Sequence, residues 1–176
     1  ARQITLLCVC LLVLAIYWLL LTLYPTPGFG PGHLDPLGNL ASVLDRAVFR
    51  QAHMFQWGIT TPGFGVTFDP EGILSTLGAL GTTLIGVLAG DELRKGEYRR
   101  RQCGAIASLG TSLWLVSLLL NRWMPLNKQI FTPSFALWSA GLSLITFAGL
   151  FWLIDIRRFR RGWTAALILG TNAILA

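Results

Sequence analysis

Four stretches of nearly membrane-spanning length contain no charged side chain: residues 4–23, 73–90, 103–120 and 135–154. Each is close to the roughly 20 apolar residues needed to cross about 30 Å of hydrocarbon. The apolar residues come in blocks instead of amphipathic stripes, which argues against a soluble core. Charged residues make up only 12% of the chain, against roughly 25% in soluble domains. A fifth apolar run covers 163–176 and is too short to span alone. The chain begins without Met before one run and stops inside another, so it reads as a piece of a longer protein. The expected fold class is all-α: a polytopic membrane helix bundle with four full spans and a truncated fifth. All 176 residues form a single transmembrane domain.

Charge orients these spans. The turns at 91–102 and 155–162, with Arg2, hold ten of the fourteen basic residues, whereas the opposite loops hold only Arg46, Arg50, Arg122 and Lys128. Cytoplasmic loops carry the excess of Lys and Arg. The basic turns and the N-terminus are therefore expected in the cytoplasm, and loops 24–72 and 121–134 outside. A net charge of +6 without a recognition motif does not point to nucleic acid. Cys8, Cys10 and Cys103 all avoid the outside loops, where a disulfide would form. They match no zinc spacing, and His33 and His53 lack the partner spacing a metal requires. No metal site is expected.

The first outside loop is long for a connector. Its Pro- and Gly-rich start, 24–32, breaks the helix. Asn39 has the form of an N-cap for a short amphipathic helix, with Leu40, Val43, Leu44, Ala47 and Val48 on one stripe and Asp45, Arg46 and Arg50 off it. Such a helix lies on the bundle or in the membrane interface. His53 follows, beside Met54, Phe55, Gln56 and Trp57, where packing and substrate contact are both open readings. The loop ends on Thr67-Phe68-Asp69-Pro70-Glu71-Gly72. Asp69 suits an N-cap, Pro70 the first helical position, and Glu71 the positive end of the dipole. The same adjacent carboxylates suit a site for a cationic or hydroxyl-rich ligand. Asn127 and Lys128 lie in the other outside loop and can meet Asp69 and Glu71 in one pocket. Within the second run, Gly86 and Gly90 form a small-xxx-small pair for close helix packing.

These residues carry a resemblance. Residues 68–74 (Phe68-Asp69-Pro70-Glu71-Gly72-Ile73-Leu74), the Gly86–Gly90 ending and Pro125-Leu126-Asn127-Lys128-Gln129-Ile130-Phe131-Thr132 resemble the heparan-α-glucosaminide N-acetyltransferase family. Asp45-Arg46, His53-Met54-Phe55-Gln56 and Thr171-Asn172-Ala173-Ile174-Leu175 extend the likeness in the same order. The resemblance implies a transmembrane N-acetyltransferase moving an acetyl group from cytoplasmic acetyl-CoA, as co-substrate, to a glucosamine-type amino sugar outside. It also implies a bacterial inner membrane, which the lack of Asn-x-Ser/Thr sequons supports. The family's catalytic His belongs upstream of this chain, so neither His33 nor His53 takes that role and this piece alone is expected to be inactive.

The chemistry assigns roles on that reading. Glu71 and Asp69 are the candidate catalytic groups, holding the acceptor ammonium or taking its proton. Asn127, Lys128 and His53 are candidate substrate contacts. Arg99, Arg100, Arg101, Arg157 and Arg158 are the candidate CoA-binding cations, beside helix N-termini that favour phosphate. Lipid and amino sugar are the expected partners, and a homo-oligomer stays open. Two rivals remain: a sugar permease, against which the charge-free spans argue, and a non-enzymatic membrane subunit.

Overall fold

The computed structural model describes residues 2–96, 98–159, 162–164 and 170–171. Five α-helices carry the architecture: α1 (Arg2–Leu23), α2 (Leu40–Phe49), α3 (Ser75–Leu93), α4 (Arg99–Leu120) and α5 (Pro133–Phe151). A π turn, Trp152–Ile156, continues α5. Among the described residues, three helices are long and apolar enough to cross a membrane: α1, α4 and Pro133–Ile156. The second of the four expected spans, α3, is diluted by Gly78, Gly81, Gly86, Gly90 and three threonines, and its last turn carries Asp91 and Glu92. It nevertheless runs the length of α1. Arg2 Nε lies 3.5 Å from Asp91 Oδ2 at one end, and Tyr17, Leu21, Leu74 and partly buried Leu77 pack into one cluster at the other. The expected fifth span lies outside the described residues apart from Trp163, Thr164, Gly170 and Thr171.

Helix ends differ from the sequence boundaries in an instructive way. Arg99, Arg100 and Arg101 are helical and form the first turn of α4, and Asp91 and Glu92 belong to α3. Charged residues at the water boundary extend a helix beyond its apolar run because backbone bonds are satisfied there at no desolvation cost.

Close helix approach falls on other glycines than Gly86 and Gly90. Neither of those has any atom within 4 Å of where a Cβ would stand. The tight contacts are instead Gly81, where a Cβ would meet Leu14 Cδ2 at 2.5 Å, and Gly78, where it would meet the Phe131 carbonyl oxygen at 2.3 Å. Between α4 and α5, Gly110 and Gly141 face one another. The sequence pair is real, but no helix packs tightly on it, and Gly86 borders an open cavity between α3 and α5.

The first loop contains secondary structure that an all-α reading omits. Strands β1 (Ile59–Thr61) and β2 (Gly65–Phe68) form an antiparallel hairpin, with Ile59 opposite Phe68 and Thr61 opposite Gly65. Gly63, at φ +82°, makes the turn. The Thr61 and Thr67 hydroxyls lie 2.9 Å apart across the pair. Buried Phe68 joins Tyr17, Leu21, Ala41, Met124 and Ile130 in a cluster that seals this end of the bundle. The Tyr17 hydroxyl donates to the Ile130 carbonyl, tying α1 to the loop before α5.

Asn39 caps α2, its side chain accepting from Ser42 N at 2.8 Å. The helix buries its apolar stripe only in part: Leu40 and Leu44 pack, half-buried, against the Tyr17–Phe68 cluster. Ala41, Ser42 and Asp45 are its fully buried residues, while Ala47 and Val48 are exposed. Polar bonds set this rotation: Arg46 donates to the Thr67 carbonyl at 2.7 Å and to the Leu37 carbonyl at 2.6 Å, which turns Asp45 inward.

Candidate functional site

The contacts sort the charged loops to opposite ends. Gln102 at the start of α4 donates to the Glu92 and Leu93 carbonyls at the end of α3, and Arg99 Nη1 lies 2.8 Å from Asp155 Oδ1. These residues and Arg2 share one end. The hairpin, the Asp69–Gly72 turn and the 125–132 loop share the other.

At that second end the Asp69–Gly72 segment forms a turn, not the first turn of α3. Asp69 does not cap the helix as its position suggests. Its Oδ1 accepts from Glu71 N at 3.0 Å and its Oδ2 from Phe55 N at 2.9 Å. Helix α3 starts at Ser75 with no side-chain cap, and the Ile73 N–H is satisfied by Asp45 Oδ1 at 2.9 Å. Neither carboxyl caps the helix: Asp45 of α2 holds the Ile73 N–H ahead of its first turn, and Asp69 is committed to holding the turn against Phe55.

The turn presents Glu71 to a cleft of about 400 Å³ between the start of α3 and the 125–132 loop. Pro70, Glu71, Ser75, Thr76, Lys128 and Phe131 line it. Glu71 and Lys128 are both exposed, and among the described residues neither charged head has a hydrogen-bond or ion-pair partner. The carboxylate accepts and the ammonium donates, so together they offer complementary polar groups to one ligand. Two smaller cavities adjoin the cleft. One of about 210 Å³ shares Pro70 and is walled by Phe55, Trp57 and Gln129. The other, about 220 Å³ between α3 and α5, shares Phe131 and is lined by Thr82, Gly86, Ser139 and Ser143. Phe131 stands at the junction with φ +49°, a conformation a bulky residue holds only when its surroundings fix it. Its ring packs edge-on to Phe135 at 5.3 Å.

The basic end has its own polar cavity, about 340 Å³, lined by Arg99, Ile154, Asp155 and Arg158. Arg157 turns aside and stacks its guanidinium 4.8 Å from the centre of the Trp152 ring. Arg100 is exposed beside Arg99 in the first turn of α4 and, like Arg101, does not line this cavity. Three cations in a helix's first turn oppose the dipole, a cost that an anion bound there would relieve.

No family model matches the chain. Two curated proteins do: heparan-alpha-glucosaminide N-acetyltransferase of Mus musculus, 27% identical over 190 residues, and that of Homo sapiens, 27% identical over 187. The chain is a distant homologue of these transferases. Each alignment takes 94% of the chain and spans only 28% of the relative's length. Three apolar helices and this kinship make it a multi-pass membrane protein.

Beside these N-acetyltransferases, the individual residues divide clearly. Glu71 and Lys128 share the cleft. Asn127 stands behind it, its Oδ1 accepting from Gln129 N at 2.9 Å and its backbone bonded to Thr132, so it shapes the loop that carries Lys128. His53 is exposed outside the cleft, its Nδ1 3.1 Å from the Phe49 carbonyl oxygen. No group of three or more His, Cys, Asp or Glu able to hold a metal occurs among the described residues. The residue that sequence reasoning passed over is Asp45. Its place off the apolar stripe reads as solvent-facing, and only its partner 28 positions later reveals otherwise.

Proposed function

We propose that this chain forms part of a membrane-embedded acyltransferase that moves an acetyl group from acetyl-CoA at the basic end to an amino sugar at the acidic end. The observation that carries this reading is the meeting of Glu71 and Lys128, from two separate loops, in one cleft opposite the Arg99–Arg158 cavity. The names of the two relatives supply the reaction class.

Glu71 takes the role of acceptor base. An amino sugar reaches the cleft as an ammonium, which the carboxylate binds and then deprotonates. Once the acetyl group has been carried through the bundle to the cleft, the freed amine attacks its carbonyl carbon. The C–N bond forms, the bond from that carbon to its carrier breaks, and the carrier leaves with the second amine proton. Lys128 donates to sugar hydroxyls or to the developing oxyanion. Arg99 and Arg158 hold the phosphates of CoA as charge-assisted bonds. A helix of 22 residues separates the two ends by roughly 33 Å. The crevice between α3 and α5, walled by Phe131, Thr82 and Ser139 among apolar side chains, covers part of that distance and suits a small neutral acetyl group.

The test is transfer in proteoliposomes holding the intact protein, with acetyl-CoA and candidate amino sugars on opposite sides. Glu71→Gln is expected to lower turnover by about 10²–10⁴, the usual contribution of a general base, without loss of folded protein. Wild-type turnover in that variant removes Glu71 from the site. Sugar uptake without CoA marks a permease instead. At the other end, Arg99→Gln with Arg158→Gln should raise the KM for acetyl-CoA about three- to tenfold at unchanged kcat, since partly exposed ion pairs are screened. The effect should shrink as salt rises.

A further inference from the structure

Asp45 is fully buried on α2, 26 residues before Glu71 in the same outside loop. Its Oδ1 accepts from Ile73 N at 2.9 Å, and its Oδ2 is shielded from solvent with no hydrogen-bond partner. The carboxyl lies flat against Gly72: a Cβ built there would stand 1.9 Å from Oδ2. Gly72 and Ile73 directly follow Glu71. A rigid group therefore touches the turn immediately behind the side chain that faces the cleft.

We propose that Asp45 is a positioning residue, whose buried carboxyl pins the 69–73 turn and so fixes where Glu71 enters the cleft. This rests on the acyltransferase reading for its activity arm only; the pinning itself is a property of the fold. Burial favours the neutral acid in this role. An ionised carboxylate seeks donors on both oxygens, and here one oxygen has none. Burial raises its proton affinity first, and the nearby Asp69 carboxylate adds to that, while the Ile73 N–H and the Arg46 charge act in the opposite sense. Arg46 does not neutralise it by direct pairing, because its guanidinium is spent on the Thr67 and Leu37 carbonyls. Tyr17 of α1 also faces the group electrostatically, and its own proton goes to the Ile130 carbonyl.

The sign follows. A carboxyl whose affinity is raised in the folded state contributes stability that is complete below the ordinary carboxylate range. That contribution is lost as pH rises through the higher folded value. Ionisation leaves a buried, half-satisfied charge beneath the turn, so the turn loosens on the alkaline side of Asp45's titration.

The experiment uses the intact protein in detergent and in proteoliposomes, comparing wild type, Asp45→Asn and Asp45→Ala. Asparagine keeps one acceptor for the Ile73 N–H and cannot ionise. Amide exchange in the peptide covering residues 69–75 should speed at least tenfold in Asp45→Ala and stay near wild type in Asp45→Asn. The unfolding midpoint of wild type should fall relative to Asp45→Asn as pH rises. In the transfer assay Asp45→Ala should lose at least tenfold in kcat with the KM for acetyl-CoA unchanged. Asp45→Asn should retain transfer and flatten the alkaline limb of the pH profile. Unchanged exchange in Asp45→Ala, or an Asp45→Asn protein whose midpoint tracks wild type at every pH, overturns the proposal. Should Asp45→Ala fail to fold, the Asp45→Asn pH series decides alone. A wild type inert in transfer refutes the acyltransferase reading while the exchange and midpoint arms still report on the pin.

Discussion

Alanine at position 72 is expected to abolish most activity and to destabilise the protein by roughly 1–3 kcal/mol from overpacking. The loss of a buried hydrogen bond adds about 1–3 kcal/mol when a donor is left unpaired. Gly72 is buried, and the new methyl group would occupy the space of Asp45 Oδ2, 1.9 Å away, with Asp45 Cγ at 2.6 Å. The carboxyl has no exposed direction in which to retreat, because Asp45 is fully buried. Any shift of it releases the Ile73 N–H and moves the turn that carries Glu71. The sharpest check is a double-mutant cycle read by unfolding midpoint and by turnover. Gly72→Ala should cost far less in an Asp45→Ala background, because truncating Asp45 removes the clash; two neighbours sharing one contact are non-additive by about 0.5–3 kcal/mol. Additive losses would show that Gly72 and Asp45 act separately.

That prediction marks the line between what a sequence can and cannot disclose here. The apolar runs are legible because a bilayer imposes its thickness directly on the chain, and α1, α4 and α5 follow them closely. Asn39 is legible for a different reason: a cap and the N–H it satisfies lie three residues apart. Asp69 has the same local signature, yet its oxygens go to Phe55 and Glu71. The Ile73 N–H just ahead of α3 goes instead to Asp45, 28 residues away, and no periodicity reports such a pairing. The β1–β2 hairpin falls between these cases. Ile59-Thr60-Thr61 and Val66-Thr67-Phe68 are β-branched and aromatic around Pro62-Gly63, a strand–turn–strand pattern hidden by its short length. The convergence of Glu71 with Lys128 was readable as a shared side of the membrane. That Asn127 holds the loop while Lys128 lines the cleft depends on loop geometry alone.

The glycines make the same point with a larger energy attached. Gly141→Ala is expected to be among the most disruptive single-methyl changes in the bundle, about 3 kcal/mol, the upper end of an overpacking penalty. Its Cβ would lie 2.7 Å from Trp114 N and 2.8 Å from the Gly110 carbonyl oxygen, with Trp114 Cβ at 3.0 Å. Two of those atoms are backbone and cannot rotate away, so α4 and α5 must separate. In lipid, helices gain little from leaving an apolar solvent, and close van der Waals packing holds them together. Separation therefore forfeits the main attraction along this interface, including the cluster of Cys103, Ile106, Ala140, Leu144 and Ala148. Gly104→Ala and Gly149→Ala provide the control on the same two helices. Neither position has an atom within 4 Å of the added methyl, and each should be neutral or gain up to about 1 kcal/mol in helix propensity. The comparison is read as unfolding midpoint and folded yield in detergent. Gly141→Ala should also raise the KM for acetyl-CoA, because Arg99 on α4 and Asp155 after α5 meet only while the helices stay close. Equal midpoints for the three variants would mean that α4 and α5 do not touch at Gly110 and Gly141, and the geometry of the basic cavity would have to be redrawn.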